Sequence, residues 1–345
     1  MRSRVLLARY GAVLLGCLLS ALVNAQSISA HVQNPSSAGT LVSTPRVSDW
    51  LQRVHEAARV SAYVGTVVVS VNGTLSSARI WHACDGAQQV ERIEALTGEP
   101  RSTFRRNDQV MTFLPERRVV IVEKRESLGL FPNLLQTNAD VLAKFYRVRS
   151  VGHERVAGFE SDIVQLHPLD QLRFGYRIWT EKKTGLVIKL QTLSGEGQVL
   201  EQVAFSDLKL DAPLSMDKLS QMMDNTAGYR VEKPDLVATS AGSEGWRLKQ
   251  AVPGFKPMSC HKRWQVNGAG SQREQALQWI FSDGLASVSL FMEAYDARHS
   301  AQPGSTTLGA TSTLTRRMGD WWLTAIGEVP VPTLAAFAQG LEWKK

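Results

Sequence analysis

Ser215-Met216-Asp217-Lys218 matches S-x-x-K and Lys183-Thr184-Gly185 matches K-T-G, motifs that together frame the nucleophilic serine of penicillin-binding enzymes. In that superfamily the serine motif comes first along the chain and an S-x-N lies between. Here the order is reversed and no S-x-N intervenes, so the two stretches read as a helix start and a hairpin turn. Metal-ligating residue types occur as His82-x-Cys84 and Cys260-His261, nearly 180 residues apart. Structural zinc needs paired C-x-x-C or H-x-x-x-H spacings that bring two ligands to one turn of chain. Neither is present, and no metal or other cofactor is expected. His55-Glu56 lacks the second histidine of a zincin, no G-x-S-x-G, P-loop or complete G-x-G-x-x-G occurs, and no spacing pairs Asp162 with Asp170. Catalysis gains no positive support, and no catalytic residue is assigned.

The prominent side chains are instead apolar and aromatic: Tyr63, Trp81, Phe104, Phe113, Phe131, Tyr146, Phe159, Phe174, Tyr176 and Trp179. On a curved sheet such residues either pack a helix or line an apolar cavity. Arg105, Arg106, Arg117, Arg118, Arg125, Arg173 and Arg177 interleave with them, as a solvated face or, at a cavity mouth, as contacts for phosphate or an acidic segment.

The elements that must position these residues follow from the period of the pattern. Thr44-Pro45 opens a helix whose Val47, Trp50, Leu51, Val54, Ala57 and Ala58 share one face. From Tyr63 the period becomes two, with strand runs at 63–71, 78–83, 109–114 and 118–123. Asn72-Gly73, Asp85-Gly86 and Asn107-Asp108 supply the positive φ of hairpin turns. A break with Phe131-Pro132 precedes a short helix carrying Val141, Leu142 and Phe145, and strands resume at 159–167, 174–180, 186–193 and 199–205. A helix over 215–223 ends this unit, residues 224–245 read as a linker, and a second strand-rich unit over 246–345 closes with a helix over 332–341. The expected fold is mainly β (α+β): an antiparallel meander curved into a half-open barrel with helices on one side, plus a smaller β-rich C-terminal domain.

With 345 residues and 43% hydrophobic content the chain is far too apolar to stay disordered, and three cysteines exclude a disulfide framework. Arg2, Arg4 and Arg9 precede an apolar run from Ala12 to Val23, and Val23-Asn24-Ala25 suits a signal-peptide cleavage site. Residues 1–25 are therefore expected to be an export signal, residues 26–44 a flexible leader and residues 45–223 the N-terminal domain. The apolar run continues past Cys17, against a lipidated cysteine. Removing the signal takes three arginines and no acid, so the formal charge falls from +7 to +4 and gives no footprint for nucleic acid. Cys84 and Cys260 remain in an oxidising compartment, where one bridge is permitted and nothing in the sequence pairs them.

A series of short motifs runs through Tyr63-Val64-Gly65-Thr66, Arg79-Ile80-Trp81-His82 with Glu91-Arg92, Arg155-Val156-Ala157-Gly158, and Asp170 with Arg173-Phe174-Gly175-Tyr176-Arg177-Ile178-Trp179. It continues through Thr184-Gly185-Leu186, Pro253-Gly254-Phe255, Phe281-Ser282-Asp283-Gly284-Leu285 to Ser289, Gly309-Ala310, and Gly327-Glu328-Val329-Pro330 with Thr333. In these residues, their order and their spacing, the chain resembles the RseB/MucB family of periplasmic anti-sigma-factor regulators. Phe174 and Leu169 depart from the family pattern, where tyrosine and arginine are usual. The resemblance implies a periplasmic location and an N-terminal domain similar to the lipoprotein carriers LolA and LolB. It also implies binding of the periplasmic segment of an RseA/MucA-like anti-sigma factor, shielding of that segment from proteolysis, and displacement by lipopolysaccharide or another acylated lipid. The alternative is a periplasmic lipid or lipoprotein carrier, and homo-oligomer formation stays open.

Residue type and rough position, with no family motif behind them, nominate Val67, Val69, Ile80, Met111, Phe113, Phe131 and Leu134 as lipid-cavity lining. On the same basis Arg173, Tyr176, Trp179, Trp264, Phe291 and Trp322 are expected to contact the partner.

Overall fold

The computed structural model describes residues 40–41, 44–85, 88–124, 139–233, 236–266, 273–297 and 302–344. The export signal, the leader before Thr40, Phe131 and Leu134 lie outside the described residues. Helix α1, Thr44–Val60, buries Val47, Leu51, Val54 and Ala57, the heptad-like stripe its sequence dictates. The other helices are α2 (Ala139–Phe145), α3 (Met216–Asp224) and α4 (Val331–Gly340). No helix among the described residues is long and apolar enough to cross a membrane.

A 13-stranded sheet forms the larger unit. Thr40–Leu41 lies at one edge, followed by Tyr146–Val156, Phe159–Pro168, Gly175–Glu181, Val187–Leu193 and Val199–Leu210. The last of these pairs with Tyr63–Val71, from which Thr74–Cys84, Gln89–Ala95, Ser102–Arg106, Gln109–Leu114 and Val119–Lys124 follow in chain order. The sheet is open: its ends are Thr40–Leu41 and Arg230–Glu232, and the latter runs parallel to Val119–Ile121. The hairpins are set where expected, with Asn72, Gly73 and Asn107 at positive φ. Tyr146–Val156 is a strand the sequence reading passed over, because arginines, His153 and Glu154 break its apolar alternation.

The smaller unit is a seven-stranded antiparallel sheet built on Lys256–Val266, Arg273–Ser282, Ser287–Ala294, Trp321–Gly327, Thr311–Met318 and Gly304–Leu308. Helix α4 covers it through Leu334, Phe337 and Ala338, and Phe337 meets Phe255 and Phe281 edge-on or tilted. Residues 224–245, expected as a linker, are tied at both ends rather than free. Arg230–Glu232 joins the large sheet and Leu236–Ala238 joins the small one through Arg263, Lys262 and His261.

Candidate functional site at the joint between the sheets

The S-x-x-K and K-T-G matches are a helix cap and a turn. Ser215 caps α3, its hydroxyl oxygen accepting the Lys218 N–H at 3.2 Å. In the K-T-G turn the Glu181 carboxylate accepts the Lys183 and Thr184 N–H groups at 3.0 and 2.6 Å, and these bonds hold it below the usual carboxylate range despite burial. Gly185, at φ +84, lets the turn rest on the backbone of Arg53 in α1, where a Cβ would lie 3.0 Å from its carbonyl oxygen. His82 stacks on Tyr63 with ring centroids 5.0 Å apart, and burial holds it below the ordinary imidazole range although Glu91 pulls the other way. Cys84 and Cys260 sit in different sheets as free thiols, and no metal-holding group of three His, Cys, Asp or Glu occurs among the described residues.

The nominated lipid-lining residues divide between opposite faces of the large sheet. Ile80 stands opposite Gly65 and Ile93, Ile93 opposite Thr103, and Thr103 opposite Thr112, so all share a face with Val67 and Val69. Met111 and Phe113 flank Thr112 and therefore point to the other side. There they pack with Phe104, Val120 and Met223 of α3, with the Tyr229 ring edge-on to Phe113. Val67, Val69 and Ile80 instead pack with Ala57 of α1, Tyr63, Ile93 and Phe205. A single lining made of all five is corrected by this period-two geometry.

Of the nominated partner contacts, Tyr176, Trp179, Phe291 and Trp322 are buried. Trp179 is held by the Glu154 carboxylate and by Lys189, whose ammonium sits 4.2 Å from the ring centroid. Phe291 and Trp322 lie on neighbouring core strands of the small sheet, Ser287–Ala294 and Trp321–Gly327. Trp264 is opposite Gln275 in the same sheet. As seated here, those four buried aromatics offer no free surface.

Arg173 explains itself differently: its side chain is fully buried between the two units. Nε donates to Asp283 Oδ2 at 2.8 Å, Nη1 to the Asp170 carboxylate, and Nη2 to the Pro253 carbonyl at 2.5 Å. The guanidinium lies over the Phe145 ring at 4.0 Å and the Phe255 ring at 5.2 Å. Asp283, in the turn after Arg273–Ser282, is fully satisfied, since Oδ1 accepts the Leu285 and Ala286 N–H groups at 2.9 and 2.8 Å. Gly254 is required at this point. Its φ is +84, and a Cβ would fall 2.0 Å from the Arg173 guanidinium and 2.7 Å from Phe145. Thr333 of α4 adds a bond from its hydroxyl to the Leu172 carbonyl at 2.7 Å. Two leucines complete the contact by exchange: Leu285 of the small unit sits in the core around α1 and α2, and Leu172 of the large unit packs on the core of the small one.

A second contact lies at the Val71 end of the large sheet. The turn at Gly309, φ +58, comes so close that a Cβ would be 2.6 Å from Val71 Cγ1 and 3.3 Å from Glu201 Oε2. Glu201 accepts the Ala310 N–H, yet burial holds its carboxyl above the usual range. Glu328 follows Gly327, which pairs with Ser312, and so stands beside the same turn. Burial, then the nearby Glu201 carboxylate, push Glu328 up to about 7. Sequence reasoning had named Arg173, Asp283, Gly254 and Glu328 in separate motifs, but no local spacing signals that they meet.

The two units have counterparts in known proteins. Residues 46–223 match the MucB/RseB N-terminal domain model and residues 240–342 the MucB/RseB C-terminal domain model. The chain is 30% identical over 309 residues to the sigma factor AlgU regulatory protein MucB of Pseudomonas aeruginosa, covering 86% of this chain and 92% of that one. It is 22% identical over 306 residues to the sigma-E factor regulatory protein RseB of Escherichia coli K12, covering 87% and 92%. Among solved structures, the Pseudomonas aeruginosa MucA/MucB complex superposes with a TM-score of 0.65 at 26% identity, over 87% of this chain and 99% of that chain. With both of its sheets matched in order by these models, the chain belongs to the MucB/RseB family.

Proposed function

We propose that this protein is a periplasmic negative regulator of a sigma-E-type envelope-stress response. It binds the periplasmic part of a membrane-anchored, MucA- or RseA-like anti-sigma factor and shields it from the proteases that begin its degradation. The observation that carries the reading is similarity across both units to MucB, a protein crystallised in complex with MucA(peri). Release follows when an acylated lipid binds the large sheet on the face of Val67, Val69 and Ile80, beneath the C-terminal end of α1. Lipid and peptide then favour different seatings of the two units, so each weakens the other by the same factor. The buried Tyr176, with Arg173, acts in this scheme as part of the seating that the peptide senses.

The deciding experiment is co-purification with an anti-sigma periplasmic fragment, with and without lipopolysaccharide. Capture that lipopolysaccharide reverses is the expected outcome. No capture, together with transfer of lipidated cargo between membranes, would establish a lipid or lipoprotein carrier instead.

A further inference from the structure

The joint holds two carboxylates where two units meet. Glu201, on Val199–Leu210, reaches across to the Gly309-Ala310 turn of the small unit, and Glu328 of that unit stands beside the same turn. The other titratable groups near them are Tyr176 on Gly175–Glu181, which feels both glutamates, and Arg173 and Asp283, which are engaged with one another. Tyr176 stays a neutral phenol, because burial and the surrounding acids raise it. The cation of the joint is thus committed to Asp170 and Asp283, while the charge acting on Glu328 is that of Glu201.

We propose that Glu201 and Glu328 make the seating of the two units pH-responsive: one proton held between them keeps the units together, and its loss loosens the joint. Two carboxylates in a partly buried site cannot both ionise without repulsion and lost hydration, whereas in the parted units each faces water. The direction follows from the raised Glu328. The seated joint keeps a proton that the parted joint gives up near the ordinary carboxylate pKa of 4.5. The stabilisation is therefore complete below that value and is lost progressively as pH rises through about 7. Each pH unit within this window changes the ratio of seated to parted molecules by up to about tenfold. This property belongs to the protein alone and goes beyond the regulatory reading, since it requires neither partner nor lipid.

Hydrogen exchange followed by mass spectrometry tests it on the free protein, comparing wild type with Glu328→Gln at each pH from 5.5 to 8 so that intrinsic chemical exchange cancels. The informative segments are 198–205 and 305–316. The ratio of wild-type to variant rates is expected to rise about tenfold or more between pH 5.5 and pH 8. A ratio that stays constant across the range overturns the proposal. Glu201→Gln, which keeps an oxygen for the Ala310 N–H, is the second variant. It should flatten the wild-type rise at these segments, and an unchanged rise would overturn the proposal equally.

Discussion

At one contact across the joint, Arg173 is enclosed between Asp170 and Asp283; at the other, Glu201 and Glu328 bring two carboxylates together. The first contact satisfies charge with opposite charge and adds a carbonyl, two aromatic faces and a hydroxyl bond from Thr333. Its geometry is complete at any pH at which aspartate is ionised. The second is acceptable only while a proton is retained. One seating is therefore fastened by paired charge on one side and, as proposed above, by a retained proton on the other.

Substitutions can break this contrast in graded ways. Arg173→Met should have the largest effect, because it leaves the fully hydrogen-bonded but buried Asp283 without its cation; urea unfolding should show a loss of about 3–5 kcal/mol. The loss should be similar at pH 6 and pH 8, unlike the effect at Glu328, and a strongly pH-dependent loss would mean that the two contacts are not separable. Gly254→Ala should cost about 2 kcal/mol in the same assay, from the left-handed backbone and the displaced guanidinium. Thr333→Val, nearly isosteric, removes the bond to the Leu172 carbonyl and should cost about 1 kcal/mol. If Thr333→Val matched Arg173→Met, the arginine would not be the principal fastening.

Much of the framework was readable because its signals are local. Asn72-Gly73 and Asn107-Asp108 declare their turns, the α1 stripe declares its buried face, and the Ser215 cap marks a helix. The joint was not readable, because Arg173 finds Asp283 across 110 residues and Pro253 across 80. Nor was the division of the lipid-lining set. Period two tells which residues of one strand agree, but only the register across Ile80, Ile93, Thr103 and Thr112 shows that Met111 and Phe113 belong to the opposite face. Phe291 and Trp322 illustrate a third limit, since residue type alone does not separate an aromatic that awaits a partner from one that fills a core.

The exchange of Leu172 and Leu285 bears on how such proteins can be recombined. Each leucine completes the interior of the other unit, so a chimera that takes its two halves from different relatives inherits two mismatched sockets along with its two sheets. Grafts cut at the covalent connection near residue 233 would carry both mismatches. A graft that moves the 170–173 turn together with the small unit would match Leu172 to its own socket and leave Leu285 as the single mismatch, so the natural boundary for exchange is drawn by packing rather than by the course of the backbone.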